Sequence, residues 1–371
     1  MTLNDMTLDS PFHLVDLDGE APVRAAANDR VLVGVAAEPV DAGPEFDILL
    51  TGVVDPPRPW VGCADPYAVG RRLAAIVAAQ PAASVALTQV LRMGGRVDPP
   101  ERLALESLAY SMLQSGAGFR AWLASARPRT PRPAAEPVRL CRDGDRLAIT
   151  FDRPWVRNAF DAGTRDALCE ALHVAVADPS IARVDLYGNG AAFCSGGDLA
   201  EFGTSRDPAQ AHLLRVRRSP AALLQECGPR VTAHLHGACV GAGIELAAFA
   251  GRVLAAPDTA IRLPEIGMGL IPGAGGTASL PIRIGRERTA YLALSGGTLS
   301  AAEALGWGLV DGIGEVTVAG APHRPPRPPA PRPPRHRTPP PRPARRRAGA
   351  EPIARRGCRG TVPTGPCVTP W

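Results

Sequence analysis

The 371-residue chain contains no lysine; all 41 of its basic residues are arginine. Mechanisms that need a lysine amine are therefore excluded: a Schiff base, a P-loop lysine, a Ser–Lys dyad. No run of 18 consecutive apolar residues occurs, so no stretch reads as a membrane-spanning helix. The eight cysteines form no CxxC pair and no zinc-ligand spacing. They read as reduced, small buried thiols, and no metal site is expected. The opening residues, MTLNDMTLDSPFHLVDLD, lack a basic segment followed by an apolar one. They do not read as a signal peptide, and the expected compartment is the cytoplasm.

What is present suits a soluble core of good size: 45% of residues are apolar and mean hydropathy is −0.01. The formal net charge of +5 is unevenly placed. Residues 321–371 hold 12 arginines and one acid, Glu351; the rest of the chain holds 29 arginines and 35 acids. The body is mildly acidic. A nucleic-acid-binding reading therefore rests on the basic tail alone.

Three stretches differ in pattern. Residues 1–126 open with short β-like runs at Phe12–Val15, Val31–Val35 and Asp47–Leu50. Apolar spacing then predicts helices at Ala68–Gln80, Ser84–Leu91 and Pro100–Leu113. Residues 127–136, RPRTPRPAAE, read as a Pro/Arg linker. Residues 137–315 alternate strands and helices. They begin with a hairpin around Arg142-Asp143-Gly144-Asp145 and include a single helix over Pro208–Gln225 and another over Gly243–Ala250. That rhythm predicts a largely parallel sheet with helices outside it. From 316 the pattern stops. Residues 321–371 contain 16 prolines and 12 arginines, a composition that cannot form a core. The stretch 316–371 is expected to be disordered. Two readings stay open for it: an arm for an SH3-like or anionic partner, or the product of a shifted reading frame in a GC-rich gene.

Three Gly-rich segments carry the chemistry. Two follow predicted strands and enter a turn or helix: Ala192-Phe193-Cys194-Ser195-Gly196-Gly197-Asp198-Leu199, and His236-Gly237-Ala238-Cys239-Val240-Gly241-Ala242-Gly243-Ile244-Glu245-Leu246. Small residues there let a ligand reach backbone N–H groups. Two such turns converging would form an oxyanion hole; a pair of tight structural turns is the alternative. Neither segment is a P-loop or a G-x-G-x-x-G fingerprint. Phe193 also breaks the G-x-S-x-G frame around Ser195. His234 and His236 read as structural. In the third segment, 262–277, Glu265 stands in an apolar, Gly-rich stretch, as Glu245 does between Ile244 and Leu246. Burial would raise both pKa values towards neutrality, which suits proton transfer at pH 7. Capping, or pairing with Arg252 or Arg262, is the structural alternative.

Together these motifs resemble the enoyl-CoA hydratase/isomerase (crotonase) family over residues 137–313. The resemblance rests on Arg153-Pro154 with Asn158-Ala159, on AFCSGGDL, HGACVGAGIEL and LPEIGMGLIPGAGGT, and on LSAAEALGWGLVD at 299–311, in the family's order. It implies an α/β fold, a crotonase-like (ClpP/crotonase) spiral of ββα units with added helices. It implies oxyanion-hole amides at Gly197 and Ala242, and a catalytic pair at Glu245 and Glu265. Substrate contacts are implied at Asn158, Ala159, Asp198, Leu199, Ala200 and Gly243. The implied substrate is an acyl-CoA thioester, with CoA as part of the substrate and no metal or redox cofactor. Keeping both glutamates favours hydration of a 2-enoyl thioester. Isomerisation, thioester hydrolysis, a cofactor-free dioxygenation or an inactive scaffold remain as alternatives. A trimeric or hexameric homo-oligomer is implied by the family alone.

The chain departs from the family in three ways. Ala242 stands where glycine is usual. Ala200 replaces a common CoA-contacting lysine, leaving Arg157 or Arg206 for that task. The Pro/Arg tail also stands where the family's last helices belong, while residues 67–126 resemble those helices. A permuted or degenerate-tandem arrangement is therefore expected, with 67–126 packed across the core near Glu265. An unrelated N-terminal domain is the alternative.

Overall fold

The computed structural model describes residues 10–19 and 29–316. The reading of the tail as disordered concerns residues almost wholly outside that range. Among the described residues, no single helix is long and apolar enough to cross a membrane.

The N-terminal region forms β1 (Phe12–Asp16), β2 (Val31–Ala36), β3 (Ile48–Thr51), β4 (Val61–Gly62) and then α1 (Pro66–Ala79), α2 (Pro81–Gly94), α3 (Pro99–Gln114) and α4 (Ala117–Ser125). Its strands make a parallel sheet in sequential order. Each of α1 to α3 has proline in its first turn, where the missing N–H costs nothing.

Residues 138–313 supply the larger part. In chain order they form β5 (Val138–Asp143), β6 (Arg146–Phe151), α5 (Ala162–Ala177), β7 (Arg183–Gly188), α6 (Pro208–Arg217) and α7 (Pro220–Cys227). There follow β8 (Val231–Leu235), β9 (Ala238–Val240), α8 (Ala242–Ala247), β10 (Arg252–Ala255) and β11 (Ala260–Arg262). A 3-10 turn at Glu265–Met268 leads to α9 (Gly276–Ser295), β12 (Thr298–Ser300), α10 (Ala301–Trp307) and β13 (Gly312–Ile313). The main sheet runs β13-β10-β8-β7-β6-β5, parallel except for the predicted β5–β6 hairpin. A small sheet runs β12-β11-β9. Successive units give one strand to each sheet: β8 then β9, β10 then β11. That alternation is the ββα spiral, and the fold is crotonase-like. β6 and β7 are buried on both faces, as expected for parallel strands covered on each side.

Two predicted helices need correction. The single helix over Pro208–Gln225 is two, because Ser219 caps a new start and Pro220 takes its first position. The helix read as Gly243–Ala250 ends at Ala247. Within α9 the chain kinks at Gly285, whose φ is +80°.

The N-terminal helices lie on the larger part within one compact body. α1, α2 and α3 pack against α9, and α4 against the 3-10 turn that carries Glu265. Gly269, at φ +72°, meets the Phe119 backbone so closely that a Cβ would lie 2.5 Å from its nitrogen. Buried Arg288 of α9 donates to the carbonyls of Trp60 (3.0 Å) and Pro56 (2.8 Å). Leu87 of α2, fully buried, belongs to the hydrophobic core shared with α9. Leu87→Ala is expected to cost about 2–5 kcal/mol of stability in urea titration, within a single cooperative transition. Two separate transitions would show helices folding independently of the core.

Candidate active site

The site is built where two Gly-rich segments run side by side. The Val240 amide donates to the Cys194 carbonyl (3.0 Å), and the Cys194 amide to the Ala238 carbonyl (3.2 Å). Gly243 sits against the Cys194 carbonyl, where a Cβ would come within 2.5 Å of the oxygen. Gly197 is bridged to Phe160 on its other side. In that bridge Phe160 donates to the Gly196 carbonyl and Asp198 donates to the Phe160 carbonyl. The Gly197 amide is therefore left aimed away, and neither it nor the Ala242 amide donates to an acceptor among the described residues. Phe202 covers Gly197 closely enough to leave no room for a side chain, a Cβ lying 2.8 Å from its ring.

Glu245 is buried on α8, and its Oε2 accepts from the amides of Ala274 (2.7 Å) and Gly276 (2.9 Å). Glu265 lies at the start of the 3-10 turn and lines the same cavity; its Oε2 is buried with no hydrogen-bond partner. Gly241 separates the two at φ +48°, and a Cβ there would lie 2.5 Å from Glu265 Oε1. Neither glutamate forms an ion pair among the described residues. Arg262 instead donates to the Gly296 carbonyl, so the pairing alternative does not hold.

A third carboxyl joins them, one that the motif reading does not anticipate. Glu106 of α3 is 2% exposed and accepts from Gly275 N (2.7 Å), Thr277 N (2.8 Å) and Thr277 Oγ1 (2.7 Å). All three carboxyls have raised pKa values. Burial is the largest cause for each. For Glu245 the charges of Glu265 and Glu106 add to it, against the pull of the two amides. For Glu265 the charge of Glu106 adds, against Arg262. For Glu106 the Thr277 and Gly275 donors and Arg215 pull the other way.

These groups line a cavity of about 380 Å³ whose walls come from α3, from the residues around the α6–α7 break and from the Pro272–Gly276 turn. Gly197 also borders a groove of about 670 Å³, lined by Arg129, Arg132, Trp155 and Arg157. Gly197 borders both spaces.

The residues expected to contact substrate divide. Ala159, Asp198 and Leu199 line the groove. Ala200 and Gly243 line neither space, and Gly243 is spent on close backbone packing. Asn158 is a correction: it is 1% exposed and its amide group is saturated by backbone. Its Oδ1 accepts from Arg153 N (2.8 Å), and its Nδ2 donates to the carbonyls of Asn189 (2.9 Å), Ala192 (2.8 Å) and Phe193 (3.2 Å). It ties the loop together and offers nothing to a ligand. Asp198 borders the groove but spends Oδ2 on buried Arg153 (3.0 Å). Arg153 also pairs with Asp161 (2.9 Å) and donates to the Arg132 carbonyl (2.9 Å) and the Ala159 carbonyl. Arg157 lines the groove and Arg206 does not. His234 pairs with Asp185 (2.6 Å) and His236 with the Gly190 carbonyl (3.1 Å), both outside the cavity. The six described cysteines are all free thiols, and four of them are buried. Among the described residues there is no cluster of metal-ligating side chains.

The carboxyl cluster fixes a sign for stability against pH. Each carboxyl holds its proton more tightly folded than unfolded, so the folded state binds more protons. Stability is fully present below the ordinary Glu value of 4.5 and is lost as pH rises through the raised values. The unfolding free energy of the wild type is expected to fall between about pH 5 and about pH 8. Glu265→Gln should fall less over the same range in urea titrations. An unchanged slope would place the titrating protons elsewhere.

Residues 146–318 match the family model described as enoyl-CoA hydratase/isomerase. YhaR of Bacillus subtilis, named as an enoyl-CoA hydratase/isomerase, is 34% identical over 192 residues, 52% of this chain and 73% of that protein. The 2,3-dehydroadipyl-CoA hydratase of Escherichia coli is 35% identical over 167 residues, 45% of this chain and 65% of that protein. The solved enoyl-CoA hydratase of Thermoplasma volcanium is 34% identical, with a TM-score of 0.44 over 48% of this chain and 72% of that one. The chain thus spans about two thirds of the length of the curated relatives it matches. With the match to YhaR over 73% of its length, and with the order of motifs and the spiral of ββα units in agreement, the chain belongs to the enoyl-CoA hydratase/isomerase (crotonase) family.

Proposed function

We propose that the protein is an acyl-CoA enzyme that hydrates a 2-enoyl-CoA thioester. The observation that carries this reading is the position of Gly197. Its unengaged amide stands where the arginine-lined groove meets the cavity holding Glu245 and Glu265. A thioester oxygen at Gly197 and Ala242 would leave the acyl chain inside and the CoA phosphates among Arg129, Arg132 and Arg157. These arginines would then do the work of the family's lysine, absent at Ala200.

The chemistry follows from the two carboxyls. Two like charges so close do not both ionise at neutral pH, so the pair keeps one proton. Burial raises both groups, but two amides hold Glu245 as an acceptor and nothing holds Glu265 Oε2, so the reading assigns the shared proton to Glu265. Ionised Glu245 takes a proton from water as the water oxygen bonds to C3. The C2=C3 pair moves to give an enolate whose oxygen receives the two amide N–H groups. Glu265 then delivers its proton to C2. Water is the only co-reactant, and the hole stabilises the charge that develops.

An enoyl-CoA panel of short, long and aryl chains, followed by loss of the conjugated thioester absorbance, tests the reading. Glu265→Gln should lower kcat by about 10²–10⁴-fold with KM little changed. The wild-type pH profile should be a bell. It falls at low pH as the pair takes a second proton, and at high pH as it loses its last. Binding of CoA thioesters without hydration would move the assignment to another reaction of the same enolate. No binding at all would point to an inactive scaffold.

A further inference from the structure

One buried carboxyl of the site comes from outside the family-matched residues 146–318. Four consecutive amides at the start of α9 are shared alternately between two carboxyls. Ala274 and Gly276 donate to Glu245, at 2.7 and 2.9 Å. Gly275 and Thr277 donate to Glu106, at 2.7 and 2.8 Å, and the Thr277 hydroxyl adds a third bond at 2.7 Å. The Glu106 oxygens thus fix every second peptide of the turn. The peptides between them have one orientation left, and that orientation aims their N–H groups at Glu245. Without Glu106, two amides and a hydroxyl would be buried with no partner, and the turn would shift to find water.

We propose that Glu106 is a positioning residue for the reaction: by holding Gly275 and Thr277 it sets the amides that orient Glu245. This rests on the hydration reading above. It makes helix α3 a working part of the site and not only its wall. Glu106 lies among titratable and charged groups from several elements: Glu245 on α8, Glu265 on the 3-10 turn with Arg262 before it, Tyr110 on α3 itself, and His212 and Arg215 on α6. Arg215 sits over the Tyr110 ring at 4.9 Å. Its hydrogen-bond partners are Ser107, Ser111 and Gln114, all neutral, so it acts on Glu106 only at longer range.

The sign of the electrostatic effect is set by the like charges. Ionised Glu106 opposes ionisation of Glu245 and Glu265. Glu106→Gln removes that opposition and also places an NH₂ donor against one of the turn's donors. The pKa values of the catalytic pair then fall, and both limbs of the kcat profile move to lower pH. A residue that only stabilised the turn would lower Tm and leave the profile in place.

The test uses the full chain, with Glu106→Gln and Thr277→Val beside the wild type, on whichever enoyl-CoA the wild type hydrates. For Glu106→Gln, kcat should fall by about 10–100-fold with KM within about twofold, and the bell should move to lower pH. For Thr277→Val, which removes one of three bonds, kcat should fall by about 3–10-fold with KM held. If Glu106→Gln does not fold, Thr277→Val decides by the same split. An unmoved profile in a folded Glu106→Gln, or losses confined to KM, would overturn the proposal. If the wild type hydrates nothing, the hydration reading fails and Glu106 is judged separately. Glutamate labelled with ¹³C at Cδ should then show Glu245 and Glu265 titrating at lower pH in Glu106→Gln; unchanged titrations would overturn it.

Discussion

The first turn of α9 is the constraint on which the site depends. Placing carboxyl groups in a dry cavity is costly unless their oxygens are hydrogen-bonded. The unbonded amides at a helix start, with their partial positive charge, are the cheapest source of such bonds. Here one turn serves two carboxyls, Glu245 from α8 and Glu106 from α3. Glu265 stands apart, with one oxygen unpartnered. The three groups are thus made chemically distinct by their donors, although all three are glutamate. An oxygen held by two amides favours staying ionised, and an unpartnered buried oxygen favours keeping a proton.

Arg153 does for the opposite wall what the α9 turn does for Glu245. It is almost fully buried, and it reaches Asp161 at the cap of α5, Asp198 beside Gly197, and the carbonyls of Ala159 and Arg132. A buried guanidinium is tolerable because two carboxylates and two carbonyls share its charge. The geometry has two consequences. Gly197 is held against Phe160, and its amide is left without an acceptor at the border of the two spaces. The linker carrying Arg129 and Arg132 is pinned at the rim of the groove, so both arginines face it.

Much of this was legible in the sequence. The hairpin at 138–151, the two Gly-rich segments and the paired glutamates all announce themselves through local rules: turn residues, small side chains, an acid among apolar neighbours. The break of α6 from α7 was legible too, in Ser219-Pro220, but the continuing apolar run conceals it. Asn158 shows the limit of a motif. The residue belongs to the pattern because it closes a loop, and only its four backbone partners reveal that no ligand contact remains.

Glu106 was hidden for a different reason. Helix α3 turns its polar face inward: Glu106, Ser107 and Ser111 are buried, while Leu108 and Met112 are more than half exposed. Periodicity assumes that such polar residues face outward, and so misses the inward face that carries Glu106. The inversion has a physical cause. The surface that α3 covers is the amide-rich turn of α9 together with Arg215 of α6, and it demands acceptors. A helix there must bring a carboxyl and hydroxyls inward beside its buried Leu113, and Leu108 and Met112 are left to the outside. The same inversion argues that α3 and the catalytic core are one evolved unit. A helix that merely leaned on the core would bury only apolar residues; this one buries, beside Leu113, the glutamate that the α9 turn saturates.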